Sequence, residues 1–282
     1  MKSYRKSNPG TSPLVSSSDF AFLILFCLIP SLGFLAMPAP TLAPAGHSSA
    51  PTKTVAATPA SNTGSISGKV LFFGPAPKLP HAKTTGFEMC GQMHSYDRLM
   101  VGKGGGVEYT LIYIANPPAG RANFPAAKIT QEGCGYTPHM TVASRGSSVT
   151  FLNNDPGLHN VHGYYVSGSE RSTLFNFAQP TQGQQSVQQL RKAGMVNLEC
   201  DVHPWMSSWV WVTDNPYVAV TKADGSYSIE GLPAGTYTVV MWHEGWKMTS
   251  ESGRPTFSGA VVEQRQVTVA EGGTSSQDFE LK

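Results

Sequence analysis

One short run of the sequence combines three side chains that bind soft metal ions. Cys200, His203 and Met206 stand in the run Cys-Asp-Val-His-Pro-Trp-Met, with two residues in each gap. A further histidine, His159, lies upstream in the segment Asn-Asn-Asp-Pro-Gly-Leu-His-Asn, which ends at Asn160. One thiolate, two imidazoles and a weak axial thioether are the ligands of a mononuclear copper electron-transfer site. The sequence therefore predicts one copper ion bound by His159, Cys200, His203 and Met206.

The spacing also indicates which elements must position these ligands. A tight loop between two antiparallel strands would turn the three ligands of the short run toward one point. His159 would come from the end of a separate strand, so that sheet packing fixes the site before metal binds. We expect Asn160 to hydrogen-bond across to the Cys200 loop and to orient the thiolate. The strands that would hold the ligands are predicted at 148–152, 195–199 and 209–213.

Other interpretations of the same residues remain open. Zinc could occupy a site built from His159, Cys200 and His203. Without a metal, a lone cysteine in a secreted β-domain is ordinarily a disulfide partner, and a neighbouring methionine is ordinarily part of the core. The other histidines are interpreted as structural: His162 is expected at the rim of the site, and surface or turn positions are expected for His139 and His243.

Composition favours an all-β exported protein of two small domains. The chain has 282 residues, of which 13% are charged, and it contains 29 glycines and 21 prolines. Its formal net charge of +2 gives no indication of a nucleic-acid partner. From residue 65 onward, short alternating runs are separated by turn residues, which is typical of strands. The only helix predicted is in the glutamine-rich stretch at 182–192.

The N-terminal region has the pattern of an export signal. Residues 1–45 contain a basic start, a mostly apolar core at 20–37 and then small residues. An uncleaved membrane anchor is the alternative, because the apolar core approaches the length of a membrane span. Residues 46–63 are rich in Ala, Ser, Thr and Pro and are predicted to be a flexible linker. A periplasmic or secreted location follows from this interpretation.

Export changes the interpretation of the cysteines. Three remain after the signal segment, and an oxidising compartment permits one disulfide with one thiol left over. A bridge between Cys90 and Cys134 would leave Cys200 free to bind copper as a thiolate. The alternative is that all three cysteines are reduced, buried and inert.

The central region resembles a known family. The segments Gly-Ser-Ser-Val-Thr-Phe-Leu-Asn at 146–153, His-Asn-Val-His at 159–162 and the run at 200–206 are similar to the type 1 blue copper proteins, or cupredoxins. The short ligand loop is closest to the amicyanin branch of these plastocyanin-like proteins. The resemblance covers about 127–213 and implies a Greek-key β-sandwich with the same four copper ligands.

A second resemblance lies toward the C-terminus. The run Ala-Asp-Gly-Ser-Tyr-Ser-Ile-Glu-Gly-Leu-Pro-Ala-Gly-Thr-Tyr from residue 223 is similar to the carboxypeptidase regulatory-like, or transthyretin-like, sandwich. The usual first strands of that immunoglobulin-like fold resemble 66–70 and 107–114, on the other side of the copper region. We therefore expect a copper domain at 126–213 that is inserted between two parts of an accessory sandwich, at 64–125 and 214–282.

These features predict a periplasmic electron carrier, with no catalytic site. A redox protein would dock transiently at Pro204 and Trp205, and electrons would pass through an exposed edge of His203. A copper oxidase is not expected, because the chain contains no His-x-His pairs for a trinuclear centre. The alternatives are a copper-binding or delivery protein, and an envelope module that binds carbohydrate or protein and holds a structural copper.

Overall fold

The computed structural model describes residues 62–251 and 254–282. The predicted signal or anchor at 1–45 lies outside these residues, as does nearly all of the predicted linker. Within them, a single turn of 3₁₀ helix, Glu88–Cys90, is the only helical element, and the remaining elements are strands. No helix among the described residues is long and apolar enough to cross a membrane. The predicted all-β fold is confirmed.

The described chain forms strands in three successive groups. The first group is β1 (Gly64–Phe72), β2 (His81–Lys83), β3 (Met93–Ser95) and β4 (Leu111–Ile114). The second is β5 (Ala127–Glu132), β6 (Gly135–Thr137), β7 (Met140–Ser144), β8 (Ser148–Asn153), β9 (His159–Ser167), β10 (Glu170–Gln179), β11 (Gln185–Gln189), β12 (Gly194–Glu199) and β13 (Ser207–Thr213). The third is β14 (Val218–Val220), β15 (Ser226–Leu232), β16 (Gly235–His243), β17 (Met248–Ser250), β18 (Thr256–Phe257), β19 (Val261–Val269), β20 (Thr274–Ser276) and β21 (Phe279–Leu281).

The second group builds a sandwich of two sheets, which we call the central sandwich. One sheet has the order β10-β9-β12-β13-β7, and the other has the order β11-β8-β5-β6. Along β8, side chains alternate between buried and half-buried, so Val149 and Phe151 point into the core. The same alternation on β13 buries Val210 and Val212 in this core, whereas Trp209 and Trp211 face the opposite way.

The predicted helix at 182–192 is wrong. Residues Gln185–Gln189 form β11, which pairs antiparallel with β8 at the edge of its sheet. The run Gln-Ser-Val-Gln-Gln alternates between exposed and half-buried side chains, which is the period of a strand. The ladder of hydrogen bonds to β8 outweighs the helix propensity of glutamine.

Strands of the first and third groups together build the accessory sandwich, whereas β2 with β3 and β17 with β18 form two separate two-stranded sheets. In one sheet β1 lies between β15 and β20 and also pairs with β21; the other sheet has the order β14-β4-β16-β19. β1 and β4 thus precede the central sandwich in sequence, and all of their strand partners follow it. This pairing supports the predicted insertion; the boundaries at 125 and 214 stay a prediction.

β4 is buried on both faces and joins the two sandwiches. Ile112 and Ile114 enter the core of the accessory sandwich, while Leu111 and Tyr113 pack with Trp211 and its neighbours. Val107, which precedes the strand, packs in the same core as Ile112. The strand begins only at Leu111, because Tyr109 has a positive φ of 58° that interrupts the extended chain.

A buried charge cluster also connects the two sandwiches. The Glu244 side chain is only 4% exposed and accepts hydrogen bonds from His139, Arg98 and the Trp209 indole. His139 and His243 are buried here, so the expected surface positions for them are wrong. Burial alone would raise the pKa of Glu244, but the neighbouring His139 and Arg98 outweigh it and lower the pKa to about 2.

Removal of the Glu244 charge should destabilise the fold in a pH-dependent way. We expect Glu244→Gln to lower the free energy of unfolding at neutral pH by about 3 kcal/mol, because the half-buried Arg98 loses its counter-charge and His139 and Trp209 lose a charged hydrogen-bond acceptor. A group whose folded pKa is depressed contributes stability above its unfolded value. The difference from wild type should therefore shrink as pH falls from 4.5 toward 2.

Denaturant unfolding at several pH values measures this difference. The matched control is Glu263→Gln, since Glu263 forms its ion pair with Arg265 at the surface; its effect should stay below about 1 kcal/mol. Equal losses in the two variants would contradict the assigned role of Glu244.

Candidate metal centre

Three of the four predicted ligands converge in the interior of the central sandwich. The Nδ1 atoms of His159 and His203 are 3.0 Å apart, and Cys200 Sγ lies 3.5 Å from His203 Nδ1. One ligand atom from each residue lies within 4.8 Å of the other two, and all three residues are buried. His159 is the first residue of β9 and Cys200 follows the end of β12, its antiparallel neighbour. Sheet pairing therefore brings the two chain segments together.

The fourth predicted ligand is held by the backbone of the same loop. The Met206 amide donates to the His203 carbonyl at 3.0 Å, and the Cys200 amide donates to the Met206 carbonyl at 3.4 Å. The Met206 side chain is buried in the core cluster that also contains Cys200. From the third group of strands, Arg254 donates from Nη2 to the Cys200 carbonyl at 2.7 Å. The loop is thus closed on itself and held by the turn between β17 and β18.

Asn160 makes two contacts to the Cys200 loop. Its backbone amide donates to Cys200 Sγ at 3.4 Å, and its side-chain oxygen accepts from the Asp201 amide at 3.0 Å. These bonds orient the thiol toward the two imidazoles. That Asn160 also tunes a bound copper stays a prediction.

Asp155 orients His159 and was not identified from the sequence. Its Oδ2 lies 2.8 Å from His159 Nε2, and the carboxylate also accepts from the amides of Gly133 and Cys134. Because an ionised carboxylate only accepts, Nε2 of His159 carries the proton and Nδ1 presents its lone pair. The one sequence feature that could have indicated this role is the position of Asp155, four residues before His159 in the polar segment 153–160.

The hydrogen bond between the two rings also fixes the tautomer of His203 when no metal is bound. Since His159 Nδ1 is an acceptor, the proton between the two rings sits on His203 Nδ1. His203 Nε2 then carries a lone pair. That atom is buried and has no hydrogen-bond partner among the described residues.

Burial sets the protonation of the cluster. It raises the pKa of Cys200, against the hydrogen bond donated by Asn160. It lowers the pKa of His159, against the hydrogen bond to Asp155, and it lowers the pKa of His203 to about 4, where His159 adds to the effect. At neutral pH the rings are neutral and can bind metal, while the thiol must release a proton on binding.

A segment from before β4 covers the cluster. The ring of Phe87 packs edge-on against His203 at 4.7 Å, and the Trp205 indole donates to the Cys134 carbonyl at 3.0 Å. His203 is 1% exposed and Trp205 is 5% exposed. The structure therefore does not place the expected His203 edge or the expected Trp205 docking contact at the surface, because β2, the 3₁₀ turn and β3 fold over the loop. Pro204 is half-buried.

The structure contains a disulfide between Cys90 and Cys134, with Cα atoms 5.5 Å apart, and Cys200 is a free, buried thiol. His162 lies outside the cluster, with its ring nitrogens hydrogen-bonded to Asp201 and Thr173.

The converging atoms have the spacing that one metal ion requires. Bonds of about 2.0 Å to nitrogen and about 2.3 Å to sulfur place neighbouring ligand atoms about 3–4 Å apart around a first-row ion. The separations of 3.0 and 3.5 Å lie in this range. A thiolate together with imidazoles suits copper or zinc. The residues present therefore fit the predicted metal.

Comparison with known proteins supports the second sandwich directly. Residues 209–282 match the family model of the carboxypeptidase regulatory-like domain. The predicted resemblance of the C-terminal region is thus confirmed, and the match runs from within β13 to β21. Among curated proteins, none matches the chain.

Solved structures similar to the chain include copper proteins, each aligned over about a third of it. A purple cupredoxin from Nitrosopumilus maritimus is 23% identical with a TM-score of 0.28, over 31% of this chain and 99% of that protein. A reduced amicyanin variant is 24% identical with a TM-score of 0.27, over 36% and 98%. A copper-containing nitrite reductase from Thermus scotoductus is 20% identical with a TM-score of 0.27, over 36% and 26%. The chain thus spans about a quarter of that reductase.

Substitution of Asp155 should weaken metal binding without removing a ligand. We expect Asp155→Asn to lower the affinity for Cu(II) by about 10- to 100-fold, because the partner that fixes the tautomer of His159 loses its charge. Competition against a chelator of known affinity measures the change. Asp214→Asn is the matched control, since Asp214 pairs with Arg145 at the surface. An unchanged affinity in Asp155→Asn would show that Asp155 does not control His159.

Proposed function

We propose that the chain is an exported protein that carries single electrons through one type 1 copper ion, held by His159, Cys200, His203 and Met206. The observation that carries this proposal is the convergence of one thiol and two imidazole nitrogens in a buried, hydrogen-bonded cluster. Met206 completes the set from the loop that holds two of these groups.

A copper ion bound by this set supplies a one-electron couple, because the sulfur ligands favour Cu(I) while imidazole accepts either oxidation state. The protein contributes rigidity. Asn160 fixes the sulfur of Cys200 through its amide, and Asp155 fixes the ring of His159. Ligands held by sheet pairing and core packing move little between oxidation states, so electron transfer costs little reorganisation.

Cys200 and its neighbours offer a covalent route from the ligand cluster to the surface. Asp201 follows Cys200 and is exposed, and Arg254 binds the Cys200 carbonyl while remaining about one-third exposed. A transient redox-protein partner belongs to the proposal, and half-buried Pro204 stays its candidate contact. No catalytic base or substrate pocket is needed for this role.

Two features support an exported location. The disulfide between Cys90 and Cys134 suits an oxidising compartment. The first 45 residues have the pattern of a signal or an anchor. We therefore propose a periplasmic or secreted protein.

The ligand roles predict distinct effects of two substitutions. Cys200→Ser should abolish the intense visible absorption of the Cu(II) protein, because that band arises from charge transfer between thiolate and copper. Met206→Leu should keep the colour and raise the reduction potential, because loss of the thioether disfavours Cu(II). Absorption spectra and redox titration measure both effects. Met140→Leu is the matched control, since Met140 is buried in a different core cluster and should leave the potential unchanged.

Repeated oxidation and reduction of the copper-loaded protein distinguishes an electron carrier from a copper-delivery protein. A carrier should keep its copper through several rounds of oxidation and reduction in the presence of a competing chelator. Loss of copper on each reduction would contradict the carrier role and favour copper delivery. Undiminished colour in Cys200→Ser would refute the ligand assignment.

A further inference from the structure

The disulfide lies directly against the candidate copper cluster. The sulfur atoms of Cys90 and Cys134 and a ring nitrogen of His203 all lie within 4.8 Å of one another. Cys90 ends the 3₁₀ turn that directly follows Phe87. Cys134 lies in the turn between β5 and β6. Two sulfurs and an imidazole are thus gathered beside the first cluster, with His203 common to both.

His203 has one nitrogen that the first cluster does not use. Its Nδ1 faces His159 and Cys200, and in the metal-free protein that atom donates to His159. Its Nε2 is a buried acceptor without a hydrogen-bond partner among the described residues. A buried polar atom left unpaired destabilises the fold, so its retention calls for an explanation. A metal ion at Nε2 would satisfy the lone pair.

Exposure to solvent also favours entry of a metal ion on the side of the cluster where Cys90 lies. The four proposed copper ligands are all buried. Cys90, by contrast, is half-buried, and its neighbours Glu88 and Met89 are exposed. A metal ion that approaches the cluster from this side therefore meets Cys90 first.

We propose that reduction of the Cys90–Cys134 disulfide opens a second metal site, in which the two thiolates and His203 Nε2 bind Cu(I). A dithiol reductant supplies two electrons and two protons: the S–S bond breaks, two thiols form, and the dithiol closes to its own disulfide. Each thiol that then binds Cu(I) releases its proton. Soft thiolates select Cu(I) over harder divalent ions.

This second site serves the protein before the first site is filled. The first cluster is formed on the Nδ1 side of the His203 ring, whereas the second site uses Nε2 of the same ring. One ring therefore serves the two sites in turn. Cu(I) bound beside Cys200 has a short path into the buried cluster, and closure of the disulfide would then leave the first site as the only one open. The second site shares His203 with the first but can form without it, whereas its role in filling the first site rests on the proposed function.

The test uses the full chain with Cys200→Ser, which removes the first thiolate and isolates the second site. The disulfide is reduced with a dithiol, which is removed anaerobically, and Cu(I) is titrated against a chromophoric Cu(I) chelator. We expect one Cu(I) per chain in the reduced protein, with affinity at least about 10-fold above that of the oxidised protein. X-ray absorption of the Cu(I) form should show two sulfur neighbours and one nitrogen neighbour.

Further variants in this background locate the ligands. Cys90→Ser should abolish the gain that reduction produces, and His203→Gln should lower the affinity by at least about 10-fold. His162→Gln is the matched control and should have no effect, since that ring is engaged by Asp201 and Thr173. Circular dichroism checks the fold of each variant.

Two results would overturn the proposal. One is equal Cu(I) affinity in the reduced and oxidised forms of Cys200→Ser. The other is an X-ray absorption spectrum without a nitrogen neighbour, which does not require the His203 variant to fold. Failure of the proposed electron-carrier function is a separate outcome, because it is measured as absent colour in the wild-type Cu(II) protein.

Discussion

The arrangement of the candidate metal centre depends on the hydrogen bonds that the Asp155 carboxylate accepts. It accepts from His159 Nε2 and from the backbone amides of Gly133 and Cys134. Through these bonds one side chain sets the tautomer of a ligand and fixes the turn that carries the disulfide. The Cys134 carbonyl in turn accepts from the Trp205 indole, which belongs to the ligand loop. The positions of the ligands are therefore fixed by surrounding groups that need not bind the metal themselves.

The two sandwiches also serve the site as a unit. β4 and β13 bury both of their faces, so each belongs to two cores at once. Arg254 reaches from the third group of strands to the carbonyl of Cys200, and Glu244 gathers His139, Arg98 and Trp209 at the junction. Contacts from the third group of strands therefore reach both the candidate ligand loop and the junction of the two sandwiches.

Much of this arrangement could be predicted from local sequence. The candidate ligands in the run from Cys200 to Met206 could be predicted, because residue type and spacing both indicate binding of a soft metal ion. The strands predicted at 148–152, 195–199 and 209–213 lie within β8, β12 and β13. The glutamine-rich stretch misled the prediction, because the pairing of β11 with β8 decides its structure and composition does not.

The remaining features depend on contacts between residues that are distant in sequence. Phe87 covers His203 from 116 positions away, so no local pattern could show that the imidazole edge is closed. Likewise, only the folded structure shows that His203 Nε2 has no hydrogen-bond partner among the described residues. Ligand types could thus be inferred from the chain, whereas access to them could not.

The most direct test of the central claim is the visible absorption and EPR spectrum of the protein loaded with Cu(II). A type 1 site should give an intense thiolate charge-transfer band together with a narrow copper hyperfine splitting. A pale protein with a wide splitting would show ordinary tetragonal copper and would contradict a type 1 site.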